Sequence, residues 1–480
     1  MAIAAASVWE LRATATAGNT NGGFFVTGAS GVDYSQQDAA QYALTGGATA
    51  GADAVFLHAN AAADMVGNGM YIVSGTNFTV GWYQILSVVV GVSITLDRNC
   101  ASGVGANGVA NIGGAMSLGS TLDDEMFESM VAGNTVWVKN GSLATGEAIS
   151  ITADGSATNP IKIIGYNAAR GDYPTGATRP TIALDGFTFA LGDNWEIYNI
   201  IFTTTHANGV AIALANKIVS CKVTNSSGSA NRAAVTVQAA NTFIIRCELM
   251  STLGRGIVVN GSATNVECLG NYIHDCETGV LDSSTTLSCT YYSNIIESCT
   301  TTALNFTAAK TGITSIIENT FFGANTPAGT GVNISTGGTN IIFINNIVQG
   351  FVTGVVHADV QTIVFLNFNN YFNNTTARTN VATGPNDVAL DSGFTDAPGG
   401  NFVTGSNVQR VGFPGTSFPG ALTNTFRDIG AAQTSGALWW ALPAVGDIKS
   451  GVTARDNSLV ANVTGTGANI ASGLQISELG

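Results

Sequence analysis

Residues 270–280, GNYIHDCETGV, set His274, Asp275, Cys276 and Glu277 side by side in a chain with four histidines and 10% charged residues. Grouped this closely, imidazole, carboxylate and thiol offer two kinds of chemistry. Paired carboxylates with separated proton affinities cleave glycosidic bonds, and a thiolate beside a base is a nucleophile. Glu297 is the obvious further carboxylate. Whether these groups converge depends on the elements that carry them.

Those elements repeat. The segments YNIIFTTT, SCKVTNSS, RCELMSTL, GNYIHDCE, SNIIESCT, ENTFFGAN, NNIVQGFV and NNYFNNTT align on their second residue. That column reads Asn199, Cys221, Cys247, Asn271, Asn294, Asn319, Asn346 and Asn370, with successive gaps of 22, 26, 24, 23, 25, 27 and 24 residues. Two positions on, Ile201, Val223, Leu249, Ile273, Ile296, Phe321, Val348 and Phe372 are all apolar, whereas their neighbours are mixed. Period-2 alternation in each short run gives a strand with one buried face. A second strand follows a small residue in GVAI (209–212), GIVV (256–259), GVLD (279–282), GVNI (331–334) and GVVH (354–357), where glycine suits a tight bend. Runs such as TFIIR (242–246) supply a third. Three short strands in about 23–25 residues describe one coil of a parallel β-helix, right-handed by the rule for parallel crossovers. Equivalent residues then stack at about 4.8 Å, and asparagine amides bond along the stack.

The fold expected is therefore all-β, with the coils over 118–433. A short helix at 120–133 is expected to cover the open end, Ser120 and Asp123 forming a capping box. Residues 1–117 differ in texture and read as a separate β-rich region for attachment or oligomerisation. Residues 434–480 form a tail whose Trp439 and Trp440 favour a protein contact.

Within this frame the opening cluster changes character. His274 and Glu297 share a column in adjacent coils and should stack, with Asp275 and Glu277 beside them. A glycan-cleaving corner of Glu297, Asp275 and Glu277 competes with a plainer reading, an outward polar edge whose His–Glu contact is worth little. The plainer reading is preferred. Cys276 and Cys299 share a column and read as stacked buried thiols, since no base is spaced to activate either. Asp282 and His357 stand where other repeats are apolar, which predicts that those two strands end early. Tyr272, Tyr292 and Tyr371 are candidate exposed rings for sugar stacking.

Composition removes several function classes. The net charge of −14 argues against a nucleic-acid surface. No CxxC pair has zinc spacing, so neither metal nor cofactor is expected. GxSxG is absent, His58, His206 and His357 are scattered, and GGATAGADA lacks the lysine and helix of a phosphate loop. Glu10 and Arg12 interrupt the first apolar run, which does not read as a signal peptide, and YQILSVVVGVSITL (83–96) is too short and broken to span a bilayer.

The phrases GNTVWVKNGSL, NPIKIIGYNAARGDYPTGATRPTI and DSGFTDAPGGNFVTGS with FRDIGAAQ resemble those that open and close right-handed parallel β-helices of the pectate-lyase-like superfamily. Residues 67–118 resemble a leader of tailed-bacteriophage proteins. The resemblance implies a structural virion protein of tailspike, head-fibre or capsid-decoration type. It implies a homotrimer made in the host cytoplasm, displayed on the virion surface and bound to other virion proteins. A polysaccharide depolymerase and a non-catalytic receptor for host glycan are the rivals it also implies. The lyases of that superfamily use an Asp cluster with calcium and an Arg or Lys base. No Lys or Arg lies between Arg255 and Lys310, so that site lacks its base in the central coils.

Overall fold

The computed structural model describes residues 3–15, 19–205, 210–214, 216–227, 232–285, 289–323, 329–334, 341–359, 365–409, 412 and 429–431. Three long sheets wind around one core, with twelve strands on face one and ten each on faces two and three. The chain visits face one, then two, then three in every coil. Neighbouring strands are parallel throughout the coils, as in Tyr272–His274 against Ile295–Glu297. This is the parallel β-helix that the repeat predicts.

The inward column of face two is Phe202, Val223, Leu249, Ile273, Ile296, Phe321, Val348 and Tyr371, each paired with the next. All eight are buried in the main core. The end members differ from the expected Ile201 and Phe372 by one residue. In the first coil Asn199 occupies the bend with φ of 57°, so Ile200 takes the ladder place. In the last, Asn369 and not Asn370 continues the ladder.

The ladder itself is continuous from Asn271 through Asn294, Asn319 and Asn346 to Asn369. The side-chain oxygens of Asn294, Asn319, Asn346 and Asn369 each accept two bonds from the preceding coil, and each ladder amide also donates to a carbonyl of face one. Cys221 and Cys247 stand in the same place in earlier coils, and the Cys247 N–H donates to Asn271 Oδ1 at 2.9 Å. Asp387 ends the stack, accepting from the Asn369 backbone and side-chain amides at 3.0 and 3.2 Å.

Positive φ lies immediately before the ladder, at Ser220, Arg246, Gly270, Ser293, Glu318, Asn345 and Phe368. The repeated glycines before face three are not bends. A Cβ on Gly279 would stand 2.4 Å from Ile296 Cγ2 and 2.5 Å from the Ala303 carbonyl oxygen. Close approach of the coils, not backbone handedness, excludes side chains there.

At the N-terminal end, the helix spans only Asp123–Glu128. Asp123 is buried and accepts from Asn19 Nδ2 at 2.5 Å and from the Gly119 N–H at 2.9 Å, which ties the helix to the N-terminal region. It also takes the Ser120 N–H at 3.4 Å, the returning half of the expected capping box, while Ser120 Oγ accepts from the Leu122 N–H at 3.1 Å. Met126, Phe127 and Met130 enter the core as expected. Residues 1–117 are less separate than the sequence implies. Ser7–Leu11 pairs in parallel with Thr135–Lys139 and so extends face one. Between them and the helix, six antiparallel strands from Tyr42–Gly47 to Ala101–Ile112 enclose a second core. A bridge from Ala48 to Leu57 joins the two outermost of them, which closes the sheet toward a barrel. The barrel docks on the coils through Tyr71 and Trp82, which pack with Trp9 and Phe24. Glu10 is fully buried at this junction, taking bonds from Arg12, Tyr166 and Arg170.

At the other end, residues 388–408 and 429–431 lie as a strap on the outer side of face two. Phe394, Ala397, Phe402 and Ala431 cover Ile295 and Phe322, and Val408 and Ile429 cover Ile347. Trp439, Trp440 and the rest of the 434–480 tail lie outside the described residues, as does His206.

Candidate functional site

The outer side of face two carries the opening cluster. Lys222, Glu248 and Tyr272 are register partners on three successive strands, and His274 follows Tyr272 two residues on. Lys222 Nζ donates to Glu248 Oε1 at 2.6 Å. His274 Nε2 is 3.5 Å from the same oxygen, while its Nδ1 is 2.8 Å from Asp275 Oδ2. The His274 ring stacks on Tyr272 with centroids 4.4 Å apart. Tyr272 in turn donates its hydroxyl to Glu297 Oε1, and Ser298 Oγ donates to Oε2 at 3.1 Å.

Three of the four candidates thus fall in one connected set, through different bonds than the sequence predicts. His274 turns to Glu248 and Asp275, and Glu297 turns to Tyr272. Asp275 is exposed and sits in a positive-φ bend at 52°. Glu277 lies past that bend, and its N–H donates to the Gly254 carbonyl. Among the described residues no bond links its carboxylate to the others. Lys222, Glu248 and Tyr272 complete the set. Their signal in the sequence is the mixed column one residue before the core column.

The environment drives the half-buried Glu248 and the buried Glu297 carboxyls apart. The His274 contact and the Lys222 ion pair hold the Glu248 carboxyl down to about 2 against the opposing effect of burial. Burial raises the Glu297 carboxyl, and the bonds from Tyr272 and Ser298 offset only part of that. Burial pulls the His274 pKa down, but Glu248 and Asp275 outweigh it and leave it above its ordinary value. The thiols are inert by the same physics: burial pushes Cys276 up to about 12 and holds Cys299 well above the ordinary thiol value. All seven cysteines are free and buried.

A second polar set lies inside the coils. Asp282 and His357 end full-length strands and point inward, both fully buried, which corrects the expectation of early strand ends. Lys310 reaches in to meet Asp282, with Nζ 2.5 Å from Oδ1. Ser284 Oγ and Tyr291 OH bond the same carboxylate at 2.6 and 2.7 Å. The first basic residue beyond the central coils is therefore an interior counter-ion and is sequestered from any substrate. Of the tyrosines proposed for sugar stacking, Tyr272 is half-buried, whereas Tyr292 and Tyr371 are 6% and 4% exposed and belong to packed clusters.

Comparison with known proteins assigns no activity to this chain. The family described as periplasmic copper-binding protein (NosD) matches residues 193–402, under half of the chain. Copper takes assembled imidazole or sulfur donors. Among the described residues no three His, Cys, Asp or Glu side chains are placed to hold a metal. No curated protein matches the chain. Among solved structures, the pectate lyase Pel9A is 12% identical with a TM-score of 0.44, over 67% of this chain and 91% of that one. The catalytic unit of a GH87 α-1,3-glucanase from Streptomyces thermodiastaticus is 12% identical with a TM-score of 0.32, over 78% and 89%. The tailspike protein gp49 from Pseudomonas phage LKA1 is 10% identical with a TM-score of 0.19, over 74% and 61%. At such identities and scores the likeness carries nothing about activity. The chain itself folds as a right-handed parallel β-helix.

Proposed function

We propose that this chain is a structural protein of a tailed-bacteriophage particle. It stands on the virion surface as a rigid head-fibre, capsid-decoration or tail-spike-like projection, and it assembles as a homotrimer docked on other virion proteins. One observation carries the reading: Glu248, Glu297 and Asp282, three of the carboxylates that could do chemistry, are already partnered within the chain. Glu248 is neutralised by Lys222, Glu297 is bonded by Tyr272 and Ser298, and Asp282 is sealed inside with Lys310. Such an arrangement stiffens a surface and leaves little to rearrange around a substrate. The phage-like leader at 67–118 supports the setting. In this reading the protein needs no cofactor and contacts neither nucleic acid nor membrane. The test is localisation on purified particles by mass spectrometry and cryo-electron microscopy. Density for the coils on head or tail is the expected result, and absence of the protein from particles would refute it.

A second reading, a polysaccharide depolymerase or glycan receptor, is favoured by Glu248 and Glu297. Their proton affinities are displaced in opposite directions on rungs two apart, about 9.6 Å along the axis. That is the pattern of an acid and a base flanking a glycosidic bond. Reducing-sugar release from host surface polysaccharide, lost in Glu297→Gln, would establish it over the first reading.

A further inference from the structure

Face three differs from the other two. Its seven strands from Val210–Leu214 to Thr353–His357 are each five residues long, whereas the strands of faces one and two in these coils have three or four. Val258, Leu281, Asn305, Asn333 and Val356 are register partners on its outer side, alternating with core residues such as Ile257, Val280 and Leu304. All five are partly exposed, and the strap lies elsewhere, on face two. This column holds no charge. Face one presents Lys162, Glu196, Lys217 and Glu267 in its outer column, and face two presents Lys222 and Glu248.

The exposed apolar side chains of the coils gather on the two rims of this face. Among the described residues of 135–379, the large apolar groups exposed by 37–53% are Phe187, Leu253, Val352, Ile313 and Phe365. The first three stand on the corner that enters face three, and the last two on the corner that leaves it. Val352 and Phe365 flank one and the same strand, Thr353–His357. An uncharged face between two apolar rims is the surface pattern of a protein contact.

We propose that face three is the seam of a parallel homotrimer, covered by the same face of two further copies. The inference rests on the homotrimer of the reading above and assigns its surface. Around a rotation axis parallel to the coils, each residue of the middle column meets its own copies. A charge there would face its own kind, which face three avoids and faces one and two do not. The rims meet each other and not themselves. Arg255, Asp275 and Glu277 on the entering rim then face the uncharged turns at 260–265 and 283–285, and Val352 of one copy meets Phe365 of the next. The dimensions agree. A five-residue strand is about 16 Å wide, so three such faces stand about 5 Å from a common axis, half the ~10 Å between packed sheets. Side chains fill that space, with water among the amides of Asn305 and Asn333. Seven strands offer roughly 550 Å² per copy, and the rims bring this to the ~800 Å² of a stable interface.

The test is native mass spectrometry of the full chain, with Leu281→Arg on the seam and Thr290→Arg on the outer side of face one as the control. The wild type and Thr290→Arg should be trimers, and Leu281→Arg should lose the trimer mass and run as a monomer. If Leu281→Arg does not fold, the paired variant Val352→Cys with Phe365→Cys decides. Oxidation should give a disulfide-linked trimer on denaturing gels, because the two positions of one chain lie about 16 Å apart across the strand and cannot join. A trimer that survives Leu281→Arg, or that leaves the paired cysteines unlinked, would overturn the seam and spare the homotrimer. A monomeric or dimeric wild type would overturn both.

Discussion

Replacing Asn294 by alanine tests whether the ladder holds the coils in register. Asn294 is 1% exposed. Its amide donates to the Cys268 carbonyl at 2.8 Å and to Asn319 Oδ1 at 2.9 Å. Its oxygen accepts from the Asn271 backbone at 3.0 Å and from the Asn271 side chain at 2.9 Å. Alanine removes all four bonds and strands a carbonyl, a backbone N–H and an amide hydrogen where water has no room. Each orphaned group costs about 1–3 kcal/mol, so after partial relaxation the loss should be about 3–6 kcal/mol. The control is Asn305→Ala on the outer side of face three, where Asn305 Oδ1 accepts from Asn333 Nδ2 at 2.8 Å and neither residue is buried. Water replaces that bond, and the cost should stay at about 0.5–1 kcal/mol. Guanidinium unfolding midpoints and unfolding rates are both read, because long solenoids often unfold irreversibly. If Asn294→Ala shifts neither more than Asn305→Ala does, the ladder is ornament and the reasoning fails.

Lys310→Met leaves Asp282 as a lone buried charge and should cost about 3–5 kcal/mol, whereas the double change with Asp282→Leu should recover most of it. Equal midpoints for the single and double variants would contradict this. Glu297→Gln should raise the melting temperature at pH 7. The folded carboxyl is raised, so its stabilising protonated form is lost as pH climbs from the unfolded value through the folded one. The gap to wild type should close by about pH 4, and a lower melting temperature at pH 7 would count against burial as the cause. Glu248 works in the opposite sense. Its stabilisation is present above the unfolded carboxyl value and fades as pH falls toward about 2, so Glu248→Gln should flatten the acid limb of the stability curve. None of the seven thiols should react with an aromatic disulfide reagent in the native protein, and all seven should react once it is unfolded.

The repeat was legible because its strongest signals are physical necessities. An inward column must be apolar in every coil, and a buried amide must stack on its like. The errors sit where two neighbouring residues could play the same part. Asn199 beside Ile200, and Asn369 beside Asn370, offered the alignment a choice that only the bend geometry decides. Positive φ was sought at glycines, but Ser220, Arg246 and Glu318 adopt it, because the ladder bonds beside them hold the corner closed. Asp282 was taken for a strand end because its counter-ion lies 28 residues away in a segment with no repeat signature. The candidate site was half visible. Spacing brought His274 near Glu297, but an alternating strand cannot show which neighbour a long side chain will choose, and Tyr272 and Glu248 were chosen.

From the coil of Cys221 onward one corner is invariant while the others are not. There the chain passes from face one into face two by the same step, a left-handed residue and then a ladder residue, as in Leu269–Gly270–Asn271–Tyr272, whereas an earlier coil spends residues 167–180 between Ile161–Tyr166 and Thr181–Ala183. Yet the spacing between ladder residues runs from 23 to 27. All of that variation falls at the other two corners, where the connection is three residues after His274 but seven after Phe322. Those corners are free ports. Peptides, epitopes or whole binding loops inserted there, for example between Phe322 and Thr330, should leave the axial stack untouched. The same insertion next to Asn319 would shear it. The molecule is in this sense a ruler with graduated attachment points about 4.8 Å apart.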